Sequence, residues 1–216
     1  MNIFDNLKNM FNQSSIAESS NPVAGAPAAN DFSQMFSPTL LGGLAGALLG
    51  GKGTVNGILK GAIIAGGGAY LWNKYKDRIL QTNKDNPQYQ QQTSTSEEKA
   101  TRMIRALVYA AKADGHIDSK EQAAIQQQVK QLDLGSDGER LVNQVMNEAI
   151  DPSRIANGVD SPEEALQLYT LSTVATDIDN PMEKAYIEQL AKALNIPQDV
   201  QQDIGKEIVV NAEPVA

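Results

Sequence analysis

The sequence predicts an all-α protein: a pseudo-repeated helical bundle preceded by a glycine-rich, membrane-seeking segment and a disordered N-terminal tail. Three observations lead there. Helix-start chemistry recurs through the C-terminal half, where Asp118 precedes Glu121, Ser136 precedes Glu139, Ser161 precedes Pro162 and Glu164, and Asn180 precedes Pro181 and Glu183. Each pair offers an N-cap oxygen and, three residues on, a carboxylate that can answer the cap's own N–H. A shift of 62 residues superposes Glu121 on Glu183, Ile125 on Ile187, Leu132 on Leu194 and Leu134 on Ile196, with Ile104 on Leu166 and Leu107 on Tyr169 upstream. Two such units are too few for a solenoid and imply one pseudo-symmetric helical domain. Between Gly42 and Gly68, finally, the chain holds eleven of its 17 glycines among Leu, Ala, Ile and Val.

Residues 1–37 come first. Ile3, Phe4, Leu7, Met10 and Phe11 recur at helical spacing and read as a short amphipathic helix, not a secretory signal. The Ser-, Asn-, Ala- and Pro-rich stretch that follows has no apolar period and reads as disordered. Residues 38–80 read as a membrane anchor. Thr39–Gly51 is too short to span a bilayer alone, and Val55–Trp72 is marginal against the roughly 20 apolar residues a span needs. Gly42, Gly46, Gly50 and then Gly53, Gly57, Gly61 and Ala65 repeat at four-residue intervals, a smooth face where another backbone can approach. Tyr70, Trp72 and Tyr75 with Lys74, Lys76 and Arg78 then resemble an interfacial belt with its cytoplasmic charge. The competing reading is a glycine-rich segment that packs on itself or builds a homo-oligomer.

Residues 81–96 read as a polar linker. Residues 97–210 form the helical domain, with helices expected over 97–113, 119–133, 137–150, 162–177, 181–194 and 198–209.

Charge divides unevenly. Residues 1–96 carry five acidic and seven basic side chains, residues 97–216 twenty-one and eleven. So acidic a domain repels a phosphate backbone, so no nucleic-acid partner is expected, and cations or a basic protein partner suit it better. With no cysteine and a single histidine, His116, thiolate and His-rich metal sites are excluded, and no G-x-S-x-G elbow supports a serine nucleophile. The protein is therefore expected not to be an enzyme.

The two acidic turns, Asp114–Glu121 and Asp177–Glu183, occupy equivalent places in the repeat. Asp114-Gly115 with Ile117 and Glu121 matches the second half of a calcium loop, but Ala110 and Lys112 stand where its opening carboxylates belong, so a full EF-hand is rejected. Capping accounts for Asp118, Asn180, Glu121 and Glu183. Asp114 and Asp177 lie at expected helix C-termini, where negative charge opposes the macrodipole and calls for a cation or a basic partner. The candidate metal ligands are thus Asp114, Asp118, Glu121, Asp177, Asp179 and Glu183, hard oxygens that favour Ca²⁺ or Mg²⁺. Capping alone is the competing reading.

Ala111-Lys-Ala-Asp-Gly-His-Ile-Asp with Glu121, together with the second turn at Asp177–Glu183, resembles the TerB-like (tellurite-resistance B) fold over about residues 97–210. With the glycine-rich segment ahead of it, most of the chain is similar to the YebE-type inner-membrane proteins of unknown function. The resemblance implies an all-helical domain with paired acidic turns suspected of binding metal, on the cytoplasmic face of a bacterial inner membrane. It brings no mechanism. The expectation is a membrane-anchored binding or sensing module for a divalent cation or a basic protein. The alternatives are a structural membrane oligomer with a passive head and, less favoured, a metal-dependent hydrolase.

Overall fold

The computed structural model describes residues 70–89, 94–113, 135–176, 178 and 180–212. The N-terminal tail, the glycine-rich residues 38–69 and the helix expected over 119–133 lie outside them. Among the described residues every regular element is helical: α1 (residues 70–82), a 3₁₀ turn Pro87–Tyr89, α2 Ser96–Ala111, α3 Gly135–Asn147, α4 Pro152–Ala156, α5 Pro162–Ala175, α6 Pro181–Ala193 and α7 Gln198–Ala212.

Local chemistry sets these boundaries. Thr95 and Glu98 form a reciprocal box at the start of α2: the Thr95 hydroxyl accepts the Glu98 N–H at 3.2 Å, and the Thr95 N–H donates to Glu98 Oε2 at 2.7 Å. α4 was not expected. It is five residues long, too short to show a period, and it starts on the Asp151 cap with Pro152 in its first turn. Asn195 ends α6 in the left-handed conformation (φ 51°), and the Ile196 N–H returns to the Ala191 carbonyl at 2.9 Å. Asparagine here does the work usually left to glycine.

α5 is the central helix. Twelve of its 14 residues are buried, and a helix covered all round cannot keep a polar stripe. Its hydroxyls turn inward instead: Thr173 and Thr176 donate to the Tyr169 and Ser172 carbonyls, each at 2.8 Å. α2 packs on α5, α3 and α4, α6 packs on α4 and α5, and α7 on α5. Leu107, Tyr109, Leu166, Leu168, Leu190 and Ile204 are fully buried at the centre.

Two expectations change at the N-terminal side. Residues 70–80 belong to the helical body as well as following the apolar segment: Leu71, Tyr75 and Ile79, one face of α1, are buried in the same core. Two of the three basic side chains read as an interfacial cluster, Lys74 and Arg78, are taken up by α7. Lys74 pairs with Glu207, and Arg78 reaches Asp199 at 2.6 Å and Asp203 at 3.0 Å. Lys74 and Arg78 lie one turn apart, and Asp199, Asp203 and Glu207 repeat at the same interval, so the two helices meet as an antiparallel charge ladder. The stretch read as a polar linker also makes contacts to the helical body over 83–89. Asn83 donates to the Asn195 carbonyl (3.2 Å), Gln88 to those of Ala156 (2.9 Å) and Val159 (2.8 Å), and Tyr89 to that of Leu194 (3.0 Å). Polar side chains that bond backbone leave no periodic trace in a sequence.

Candidate functional site

The second acidic turn joins α5 to α6. Thr176 closes α5, and Asn180 caps α6 by accepting the Met182 and Glu183 N–H groups at 2.9 and 3.0 Å. Glu183 answers by accepting the Asn180 N–H on Oε2 at 3.3 Å, and its side chain is buried. The capping role expected of Asn180 and Glu183 is therefore present, with one Glu183 oxygen bonded to backbone. Of the remaining candidate ligands, Asp114, Asp118, Glu121, Asp177 and Asp179 lie outside the described residues. Among the described residues no group of three His, Cys, Asp or Glu is arranged to hold a metal ion. What the turn does show is apolar. Ile178 is 48% exposed and Met182 59% exposed, at the two ends of a segment whose sequence is Ile-Asp-Asn-Pro-Met.

The charged groups nearest the core are bound to one another. Arg102 Nε donates to Glu164 Oε1 at 2.7 Å, with side chains 6% and 0% exposed. The two positions stand 62 residues apart, the shift that superposes the halves of the domain. Burial pushes the Glu164 carboxyl up, and the Arg102 hydrogen bond only partly offsets it. Arg102 Nη2 and Glu164 Oε2 are both buried without a hydrogen-bond partner, so one arm of the two-armed arginine–carboxylate geometry is used. Beside them Asp160 takes the Ser94 N–H at 2.6 Å and Lys99 at 3.6 Å, and the Ser94 hydroxyl donates to the Gly158 carbonyl at 2.7 Å. The backbone conformation at Gly158 favours glycine. Its φ is +79°, and a Cβ there would stand 3.2 Å from an Arg102 nitrogen.

A second hub gathers at Glu148, past the end of α3. Its carboxylate accepts from the Tyr109 hydroxyl (2.8 Å), Arg105 Nε (3.2 Å) and Gln144 Nε2 (3.1 Å), with Arg154 at 3.5 Å. Burial pushes this carboxyl up, but the three hydrogen bonds together outweigh it and hold it down at about 2. Lys112 donates to the Met146 carbonyl at 2.8 Å and to that of Glu148, placing a cation at the negative end of α3. Burial lowers the Lys112 ammonium in turn. One carboxylate thereby joins α2, α3 and α4.

The sequence reading did not find these two hubs. Arg102 and Glu164 were visible only as charges at repeat-equivalent positions, and Glu148 carried no spacing signal. The α7 carboxylates did carry one, at intervals of four.

No helix among the described residues is long and apolar enough to cross a membrane. Residues 34–208 match the family described as "Protein of unknown function (DUF533)". A relative from Yersinia enterocolitica, described as an "Uncharacterized protein in ampR 5'region", is 42% identical over 130 residues, which is 60% of this chain and 94% of the relative. No solved structure matches the chain.

Proposed function

The chain belongs to the DUF533 family of proteins of unknown function, and from that premise we propose a membrane-anchored, non-enzymatic binding module whose α5–α6 turn receives a basic, amphipathic protein segment. The exposure of Ile178 and Met182 at an acidic turn carries the proposal. A cation site gains nothing from two solvent-facing apolar side chains. A lysine-bearing amphipathic segment gains from both features, since its apolar face covers Ile178 and Met182 while its charges answer Asp177, Asp179 and the acidic domain around them.

The non-enzymatic part rests on how the buried and part-buried carboxylates are used. Glu148, Glu164, Asp160 and Glu183 each hold a helix end or an ion pair. Anchoring rests on the glycine-rich apolar composition of residues 38–69, which leads directly into α1. Together with the YebE-type resemblance, it implies the inner membrane of a bacterium, with the helical domain on the cytoplasmic side.

The protein has no cysteine, so Ile178→Cys in the full chain places one polarity-sensitive fluorophore on the turn. Titration with an amphipathic lysine–leucine peptide is expected to give a saturable blue shift that weakens with added salt. Ca²⁺ or Mg²⁺ alone is expected to leave the emission unchanged. Silence toward the peptide, or saturation by either ion alone, overturns the proposal in favour of the cation.

A further inference from the structure

We infer that the antiparallel pair α1–α7 is the edge of the domain that rests on the lipid surface, with the C-terminal end of α7 lying at the headgroups beside the point where the apolar segment emerges. This rests on the membrane anchoring proposed above and adds an orientation to it. The register comes from three contacts. Lys74 meets Glu207, Arg78 meets Asp203 and Asp199, and Asn83 meets Asn195. As α1 runs away from residue 70, α7 runs back toward it. At about 1.5 Å of rise per residue, Tyr70 and Asn211 each stand about 6 Å beyond the Lys74–Glu207 contact, and so come level with one another.

That end of the pair has interfacial character. Tyr70 is 58% exposed, an amphipathic ring directly after the apolar segment, and the Lys74 ammonium sits 5.6 Å from the ring centroid. Ile208, near the end of α7, is partly buried against the core, so the exposed ring at this end of the pair is that of Tyr70.

Charge explains why an acidic helix can lie there. Asp199, Asp203 and Glu207 on their own would be repelled by anionic headgroups. Lys74 and Arg78 offset two of those three charges along the contact, and burial of Leu71, Tyr75 and Ile79 holds the ladder closed. Lys74 and Arg78 thus spend their charge on a helix of the same protein at the membrane.

The test uses the full chain in vesicles of phosphatidylcholine and phosphatidylglycerol that carry a headgroup-linked nitroxide. Single cysteines at Leu48→Cys, Asn211→Cys and Gln198→Cys each bear one fluorophore. Gln198 is exposed at the opposite end of α7, about 20 Å from Asn211 along the helix. Quenching at position 211 is expected to exceed that at 198 by about twofold or more, given that separation, with the label at 48 also lipid-accessible. Equal quenching at 211 and 198 with lipid access at 48 overturns the orientation and leaves the anchoring intact. No lipid access at 48 overturns both.

Discussion

Replacing Arg102 with methionine is expected to destabilise the domain by about 3–4 kcal/mol at pH 7, and the loss should shrink as the pH falls. The magnitude follows from what is left behind. Glu164 is fully buried and loses its 2.7 Å donor, while the nearby Lys99 is engaged by Asp160 at 3.6 Å. The orphaned carboxylate either stays charged, which costs several kcal/mol in a buried site, or takes up a proton. From an ordinary value of 4.5, protonation at pH 7 costs about 1.36 kcal/mol for each of roughly 2.5 pH units, or about 3.4 kcal/mol. At pH 5 the same proton costs under about 1 kcal/mol.

The sign follows from linkage. A carboxyl raised in the folded state releases its proton first in the unfolded chain, so the variant loses stability as pH rises above 4.5. Wild type has the same trend in weaker form, because Arg102 offsets part of the burial. Urea unfolding of the full chain in mild detergent, followed by far-ultraviolet circular dichroism at pH 7 and pH 5, measures both values, and an unchanged slope shows that the unfolded state is unaltered. Arg102→Met with Glu164→Leu is expected to return to within about 1 kcal/mol of wild type or better, since a well-packed apolar pair often matches a buried ion pair. A single-variant cost below about 1 kcal/mol at pH 7, or one that is the same at both pH values, refutes the reasoning.

Glu148→Gln removes a carboxyl held down at about 2 and is expected to cost about 2–3 kcal/mol at neutral pH. Because the folded-state value is depressed, this contribution is complete above 4.5 and drains away as pH falls from there toward 2, so acid unfolding curves of wild type and variant should converge over that window. Ile79→Ala, at a fully buried site on α1, should cost about 2–4 kcal/mol and shift the emission of Trp72 to the red, whereas Arg78→Ala, whose ion pairs are part-exposed, should cost under about 1 kcal/mol. Asn180→Ala deletes the acceptor for two backbone N–H groups at the start of α6 and should lower stability by about 1 kcal/mol, measured by the same urea transition.

Much of the fold was legible because helix ends are written in local chemistry. Asn180 with Glu183 showed its box in the sequence, and the structure has both of its halves. Ser161 was legible as a cap, but the return bond expected from Glu164 is absent: that carboxylate goes to Arg102 instead. A local motif cannot foresee a partner from the other half of the domain. α1 was only partly legible, for a different reason. Aromatic residues interleaved with lysine and arginine look the same whether they line a membrane interface or form an amphipathic helix. The deciding pattern lay about 125 residues away, in the Asp199, Asp203, Glu207 spacing of α7. The site was less legible than the fold. Spacing located the α5–α6 turn and the cap role of Glu183, but the exposure of Ile178 and Met182 depends on how α5 and α6 enter the bundle, which no pattern of residues states.

The most direct test of the central claim is a calorimetric titration of the full chain with an amphipathic lysine–leucine peptide, Ca²⁺ and Mg²⁺, set beside an Ile178→Ser, Met182→Ser variant. Both side chains face solvent, so the double replacement should change stability by no more than about 1 kcal/mol. The account predicts saturable heat with the peptide in wild type, its loss in the variant, and no saturable heat with either ion up to millimolar concentration. Saturable binding of Ca²⁺ or Mg²⁺ that survives in the variant, with no peptide binding, would contradict it and make the acidic turns a cation site.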